Sequence, residues 1–96
     1  MSLPEVLEGT LDAAGLEALL DDIAATGGLL AVVVRAGRQA EPARGPAALP
    51  EVRAALLDGR VPGAQLRYVF EGQEWWDTVM SAGPGRWRVV RIAHGA

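Results

Sequence analysis

Apolar residues recur with two different periods along the chain, and the change of period separates helices from strands. Between residues 11 and 25 they stand at i, i+3, i+4 and i+7, the stripe of an amphipathic helix. The stripe consists of Leu16, Leu19, Leu20 and Ile23. Thr10 or Asp12 can cap the start of this helix, and Gly27-Gly28 predicts its end.

The middle of the chain alternates between strand-like and loop-like stretches. Residues 29–34 are an unbroken apolar run, which is typical of a strand covered on both faces. Residues 3–9 fit either a lead-in strand or irregular chain, and Arg38–Glu41 fits a short second strand. The prolines and the glycine of residues 42–50 predict a loop.

A second helix is predicted from Pro50 to Asp58, because proline suits the first helical turn and Gly59 suits the stop. We expect Val52 and Leu56 to face the core, with Ala55 as a further candidate for the core.

Strict alternation begins after this helix and predicts a three-stranded antiparallel meander over residues 64–70, 73–80 and 86–93. A two-residue turn at Glu71-Gly72 places Tyr68 opposite Trp75 and Arg67 opposite Trp76. If the loop between the second and third strands of the meander contains five residues, a further set of opposite residues is expected. These are Val79 with Trp87, Asp77 with Val89 and Trp76 with Val90.

These elements predict a single α+β domain over residues 1–96. Two helices pack on one face of a four- to five-stranded mixed or antiparallel sheet that ends in the meander. Neighbouring residues of a strand point to opposite faces, so Trp75 and Trp76 cannot both enter the core. The expected inner face carries Leu66, Tyr68, Phe70, Trp75, Val79, Trp87 and Val89. Trp76 is expected at the centre of a mixed outer face.

The amino-acid composition excludes several kinds of site and reaction. The chain has 96 residues and no cysteine, and all nine of its basic residues are arginine, which excludes disulfides, zinc–thiolate sites and lysine chemistry. No apolar run approaches the length of a membrane span, and the first residues lack a signal-peptide pattern. We therefore expect a cytoplasmic protein without membrane association. We predict no cofactor, no metal site and no catalytic residue, and His94 is expected to be a solvated tail residue.

Charge is distributed unevenly around the net value of −3. Six carboxylates and no arginine lie in residues 1–34, whereas all nine arginines follow. An acidic helix lying on a basic sheet accounts for this division, and oppositely charged patches that pair between subunits are the alternative. Asp21 and Asp22 lie near a helix C-terminus, where anions are unfavourable, and the arginines of the sheet are the expected partners.

The outer face gives the first functional hypothesis, a non-catalytic module that binds a protein partner or forms a homodimer. Tryptophan, methionine and arginine are enriched in protein interfaces. The predicted partner-binding residues are Arg67, Val69, Trp76, Met80, Arg88 and Val90. The alternative is that another part of this chain covers the same patch.

Two further hypotheses concern charged residues of the meander. A buried carboxylate at Asp77 needs a partner, and Arg91 lies on the same face. The pair could be a register anchor, or it could form a small-molecule pocket, with enzymatic activity as an option, together with Tyr68 and Trp75. Nucleic-acid binding through Arg86 and Arg88 is the least favoured hypothesis, because the chain is acidic and glutamates share that face.

Overall fold

A computed structural model of the chain describes residues 7–36 and 39–95. The strands are β1 (Leu7–Leu11), β2 (Leu29–Ala36), β3 (Gln39–Ala40), β4 (Gly63–Phe70), β5 (Gln73–Ser81) and β6 (Trp87–His94). The helices are α1 (Ala13–Ala25) and α2 (Leu49–Leu57), and a 3-10 turn over Pro46–Ala48 leads into α2. The strands form one sheet in the order β1-β6-β5-β4-β2-β3, and every neighbouring pair is antiparallel.

The predicted α+β class is confirmed, but the sheet has six strands rather than four or five. The additional strand is β1, which pairs along its whole length with β6, from Leu7 opposite Arg91 to Leu11 opposite Trp87. Its five residues show too little alternation to identify a strand from local sequence, so pairing with a distant segment decides its conformation. Residues 3–6 of the predicted lead-in strand lie outside the described residues, as does Arg38 of the predicted short strand.

Helix α1 begins two residues later than predicted because Asp12 is its cap. The Asp12 carboxylate accepts a hydrogen bond from the Gly15 backbone N–H at 2.8 Å. Gly27, with φ 69°, follows the last turn. The predicted apolar stripe is buried in full, and it packs on the inner face of the sheet together with Val52 and Leu56 of α2. Both helices therefore cover the same face.

The β4–β5 hairpin has the predicted register, with Tyr68 opposite Trp75. Its two turn residues, Glu71 and Gly72, both have positive φ, which suits the twist of a two-residue hairpin.

The predicted β5–β6 register is wrong by two residues. Ser81 lies opposite Trp87, and Asp77 lies opposite Arg91 rather than Val89. Five residues do loop out, but they are residues 82–86, because the Ala82 N–H donates to the Arg86 carbonyl at 2.9 Å and closes the loop. A shift of two residues leaves every side chain on its predicted face.

The apolar run of β2 is not covered on both faces along its whole length. Val32, Val33 and Val34 are buried, but a β-bulge between Leu29 and Ala31 leaves Leu30 50% exposed. Leu29 packs against the core, whereas Leu30 is the extra residue of the bulge and shares with Ala31 the position opposite Arg67, an outer-face residue.

Close approach of β4 to the entry of β2 makes Gly28 a sensitive position. Its carbonyl accepts from the Val69 N–H at 2.9 Å, and a Cβ at this residue would collide with the Val69 carbonyl. We expect Gly28→Ala to lower the free energy of unfolding by about 1–3 kcal/mol, measured by urea denaturation. Gly45→Ala is the control, since its Cβ would enter open space, and it should change stability little. Equal stability of the two variants would contradict this packing.

Candidate functional site

Three of the four residues predicted for a pocket form a buried polar cluster on the inner face. Asp77 is 0% exposed and Arg91 is 1% exposed. The Arg91 Nε donates to the two Asp77 oxygens at 2.9 and 3.0 Å, and Nη2 donates to Oδ2 at 2.8 Å. The Tyr68 hydroxyl donates to Oδ1 at 3.0 Å. The cluster therefore joins β4, β5 and β6 across a single carboxylate.

Tyr68 and Arg91 are each held in one protonation state. Burial, and then the negative charge of Asp77, raise the pKa of the Tyr68 hydroxyl far above its ordinary value. Burial opposes the charge of Arg91, but the hydrogen bonds and charge of Asp77 raise the pKa of its guanidinium above the ordinary value. The tyrosine stays neutral and the arginine stays charged, as an ion pair with a neutral donor requires.

This arrangement resembles a structural anchor more closely than a ligand pocket. Both carboxylate oxygens of Asp77 accept hydrogen bonds from Tyr68 or Arg91. Trp75, the fourth predicted pocket residue, is buried beside the cluster, 8% exposed. Surface depressions of about 440, 390, 220 and 170 Å³ are lined by other residues.

The outer face is organised around Trp76, which lies between side chains from both neighbouring strands. The Arg67 guanidinium carbon, from β4, lies 4.0 Å from the centre of an indole ring. The His94 ring, from β6, stacks on Trp76 with a centroid distance of 3.8 Å and an interplanar angle of 15°. The Trp76 Nε1 donates to Glu74 Oε2 at 2.6 Å. These contacts hold the indole in one orientation and leave it partly exposed.

Hydrogen bonds extend from this cluster across the face. The Arg67 Nε donates to the Gln65 side-chain Oε1 at 2.9 Å, and the Gln65 Nε2 donates to the Thr78 hydroxyl at 3.1 Å. These hydrogen bonds hold the Arg67 guanidinium beside Trp76. The side chains that make them lie next to Val33, which is opposite Gln65 on the outer face and is only 4% exposed.

Exposed apolar side chains gather at the same end of the outer face. Among the described residues, the large hydrophobic side chains with substantial exposure are Leu30, Ile92 at 49% and Val69 at 36%. Ile92 lies directly opposite Trp76, and Val69 lies opposite Glu74. We refer to Leu30, Val69, Trp76 and Ile92 as the outer patch.

The other predicted partner-binding residues lie on the outer face, farther from its apolar end. Met80 packs over Gly63, where a Cβ would collide with its sulfur. Arg88 forms an ion pair with Glu8 of β1, and Val90 is half-buried opposite Thr78. Arg86 is exposed in the loop before β6. Glu8 compensates the charge of Arg88, and this compensation opposes phosphate binding at Arg88.

The sequence did not reveal two residues of the outer face, His94 and Leu30, and it placed the partner of Asp21 on the wrong element. His94 is the last residue of β6 and stacks on Trp76, whereas a solvated tail residue was predicted. Continuing the alternation of β6 by one more step would have placed His94 beside Ile92. The partner of Asp21 was expected in the sheet, but it is Arg53 of α2, which donates to Asp21 at 2.6 Å and to Glu17 at 3.0 Å. The exposure of Leu30 depends on a bulge that has no local sequence signal.

Within residues 7–36 and 39–95, no three acidic or histidine side chains are placed to share a metal ion. In the same part of the chain, no helix combines the length and hydropathy needed to cross a bilayer. Comparisons with protein-family models, with curated proteins and with solved structures found no match for this chain.

The anchor can be tested with a double-mutant cycle. Arg91→Met leaves the Asp77 carboxylate buried without its cation, and we expect it to lower the free energy of unfolding by about 3–5 kcal/mol. Adding Asp77→Leu removes the stranded charge and should restore most of that loss. Urea denaturation of Arg91→Met, of Asp77→Leu and of the double variant completes the cycle. A single variant as stable as the original chain would show that the pair does not hold the strands together.

The raised pKa of the buried Tyr68 hydroxyl predicts that the folded chain loses stability at alkaline pH. Above about pH 10 the unfolded chain loses the tyrosine proton while the folded chain keeps it, so the unfolded state binds fewer protons. The free energy of unfolding should therefore fall by about 1.4 kcal/mol per pH unit above that point. Tyr68 is the only tyrosine, so tyrosinate absorbance should appear only as the protein unfolds. Absorbance that rises near pH 10 in the folded chain would contradict the burial, and Tyr68→Phe serves as the control for other alkaline effects.

Proposed function

We propose that the protein is a non-catalytic interaction module that binds a protein partner through the outer face of its sheet. The observation that carries the proposal is the clustering of exposed apolar side chains in the outer patch. Both helices pack on the inner face, so the described chain leaves this patch in contact with solvent. Burial of a large aliphatic side chain contributes about 1.5–3 kcal/mol, and half of that is still available at Leu30 and Ile92.

The composition of the patch and its rim supports the same proposal. Tryptophan and arginine are the side chains that most often dominate binding energy at protein interfaces. Trp76 is already fixed by Arg67, His94 and Glu74, so binding would cost little additional side-chain entropy. Polar groups surround the apolar centre, which is the usual arrangement of an interface core and its rim.

The inner cluster has a different role in this proposal. Asp77 and Arg91 fix the β5–β6 register, and that register places Ile92 beside Trp76 on the outer face. The pair thus supports the binding surface from the other side of the sheet without contacting the partner.

The experiment is affinity purification of the tagged chain from its own host after mild chemical cross-linking. We expect the original chain to retain a protein partner or an untagged copy, and Ile92→Glu to lose it, because a charge in the outer patch opposes desolvation. The matched control is Ala14→Glu, on the exposed helical side, where the first turn of α1 tolerates an acidic residue. The proposal would be contradicted if Ile92→Glu, with its fold verified by circular dichroism, retained the same proteins.

A further inference from the structure

We infer that the partner of the outer face is a second copy of this chain, so that the two sheets pack face to face around a two-fold axis. This inference rests on the proposed function and specifies its partner. In such an isologous contact both chains use the same surface, and that surface must therefore be complementary to itself.

Charge on the outer face meets this requirement. Strand register places arginine and glutamate side chains together on that face: Arg35, Arg67, Arg88, Glu8 and Glu74. Three positive and two negative groups nearly balance, so two such faces can approach without strong repulsion. Each copy presents both signs beside the outer patch, since Arg67 and Glu74 both contact the indole of Trp76.

The opposite side of the molecule explains why the sheets rather than the helices would meet. Helix α1 with its cap carries four carboxylates and no arginine: Asp12, Glu17, Asp21 and Asp22. Arg53 of α2 pairs with two of these carboxylates, Glu17 and Asp21. Sheets pack about 10 Å apart, and the helices lie on the far side of each sheet, so the acidic layers are separated by more than the Debye length of about 8–10 Å.

The size of the face is adequate for a dimer. Six strands at a spacing of about 4.8 Å give a width of roughly 24–29 Å. The three central strands have eight or nine residues, each of which rises about 3.3 Å. Because the edge strands β1 and β3 have only five and two residues, the projected face is on the order of 600–700 Å², close to the roughly 800 Å² that a standard interface buries on each partner.

The absence of cysteine from the natural sequence allows a direct experiment on the full chain. Sedimentation velocity should give twice the chain mass of 10.1 kDa at high concentration, with dissociation on dilution. Single-cysteine variants Val69→Cys and Ile92→Cys should form cross-linked dimers with a short bismaleimide, whereas Ala14→Cys on the helical side should not. Ile92→Glu should raise the dimer dissociation constant at least roughly a hundredfold, because the substitution occurs twice in one interface.

Several outcomes separate this inference from the proposed function. A monomer at every concentration overturns the inference, whereas a different protein that the host supplies in an Ile92-dependent way would leave the proposed function standing. A dimer that cross-links through Ala14→Cys, or through neither patch position, also overturns the face-to-face arrangement. If the chain is monomeric and captures no protein through the patch, both claims are wrong.

Discussion

The buried carboxylate of Asp77 is the constraint on which the arrangement of the sheet depends. It accepts hydrogen bonds from Tyr68 of β4 and Arg91 of β6, so three adjacent strands are tied at one point. Apolar contacts alone tolerate a slip of two residues, because such a slip returns every side chain to its own face. A charged pair that is cut off from water does not tolerate it, since a slip would strand a buried charge.

The consequence appears on the other side of the sheet. With Asp77 fixed opposite Arg91, the preceding residue Trp76 must lie opposite Ile92. The outer face then gains an indole between a guanidinium and an imidazole, with an exposed aliphatic side chain next to it. Conformational specificity on the buried face and an ordered apolar surface on the exposed face are therefore two results of one cross-strand pair.

Much of this arrangement follows from the sequence. Helical and strand periods predict both helices, the meander and the face on which each tryptophan lies, and the turn at Glu71-Gly72 predicts the β4–β5 register. The β5–β6 register does not follow in the same way, because a glycine-rich loop can close at several positions and here closes between Ala82 and Arg86. A search for the best partner of a buried Asp77 would have selected the observed register.

Features that depend on distant contacts were harder to predict. Strand β1 exists because β6 offers it an edge, and Leu30 is exposed because a bulge interrupts the pairing of β2 with β4. The contribution of His94 required the length of β6 to be known to its last residue. The candidate surface was thus predicted in its centre, Trp76, Val69 and Arg67, but the exposure of Leu30 and the stacking of His94 came only from the three-dimensional structure.

The most direct measurement of the central claim is the concentration dependence of the NMR signals of the three tryptophan indole N–H groups. On dilution, the account predicts that the Trp76 signal shifts together with the methyl groups of Leu30, Val69 and Ile92, while the signals of Trp75 and Trp87 stay in place. Signals of the outer patch that do not change with concentration, or changes confined to the helical side, would contradict it.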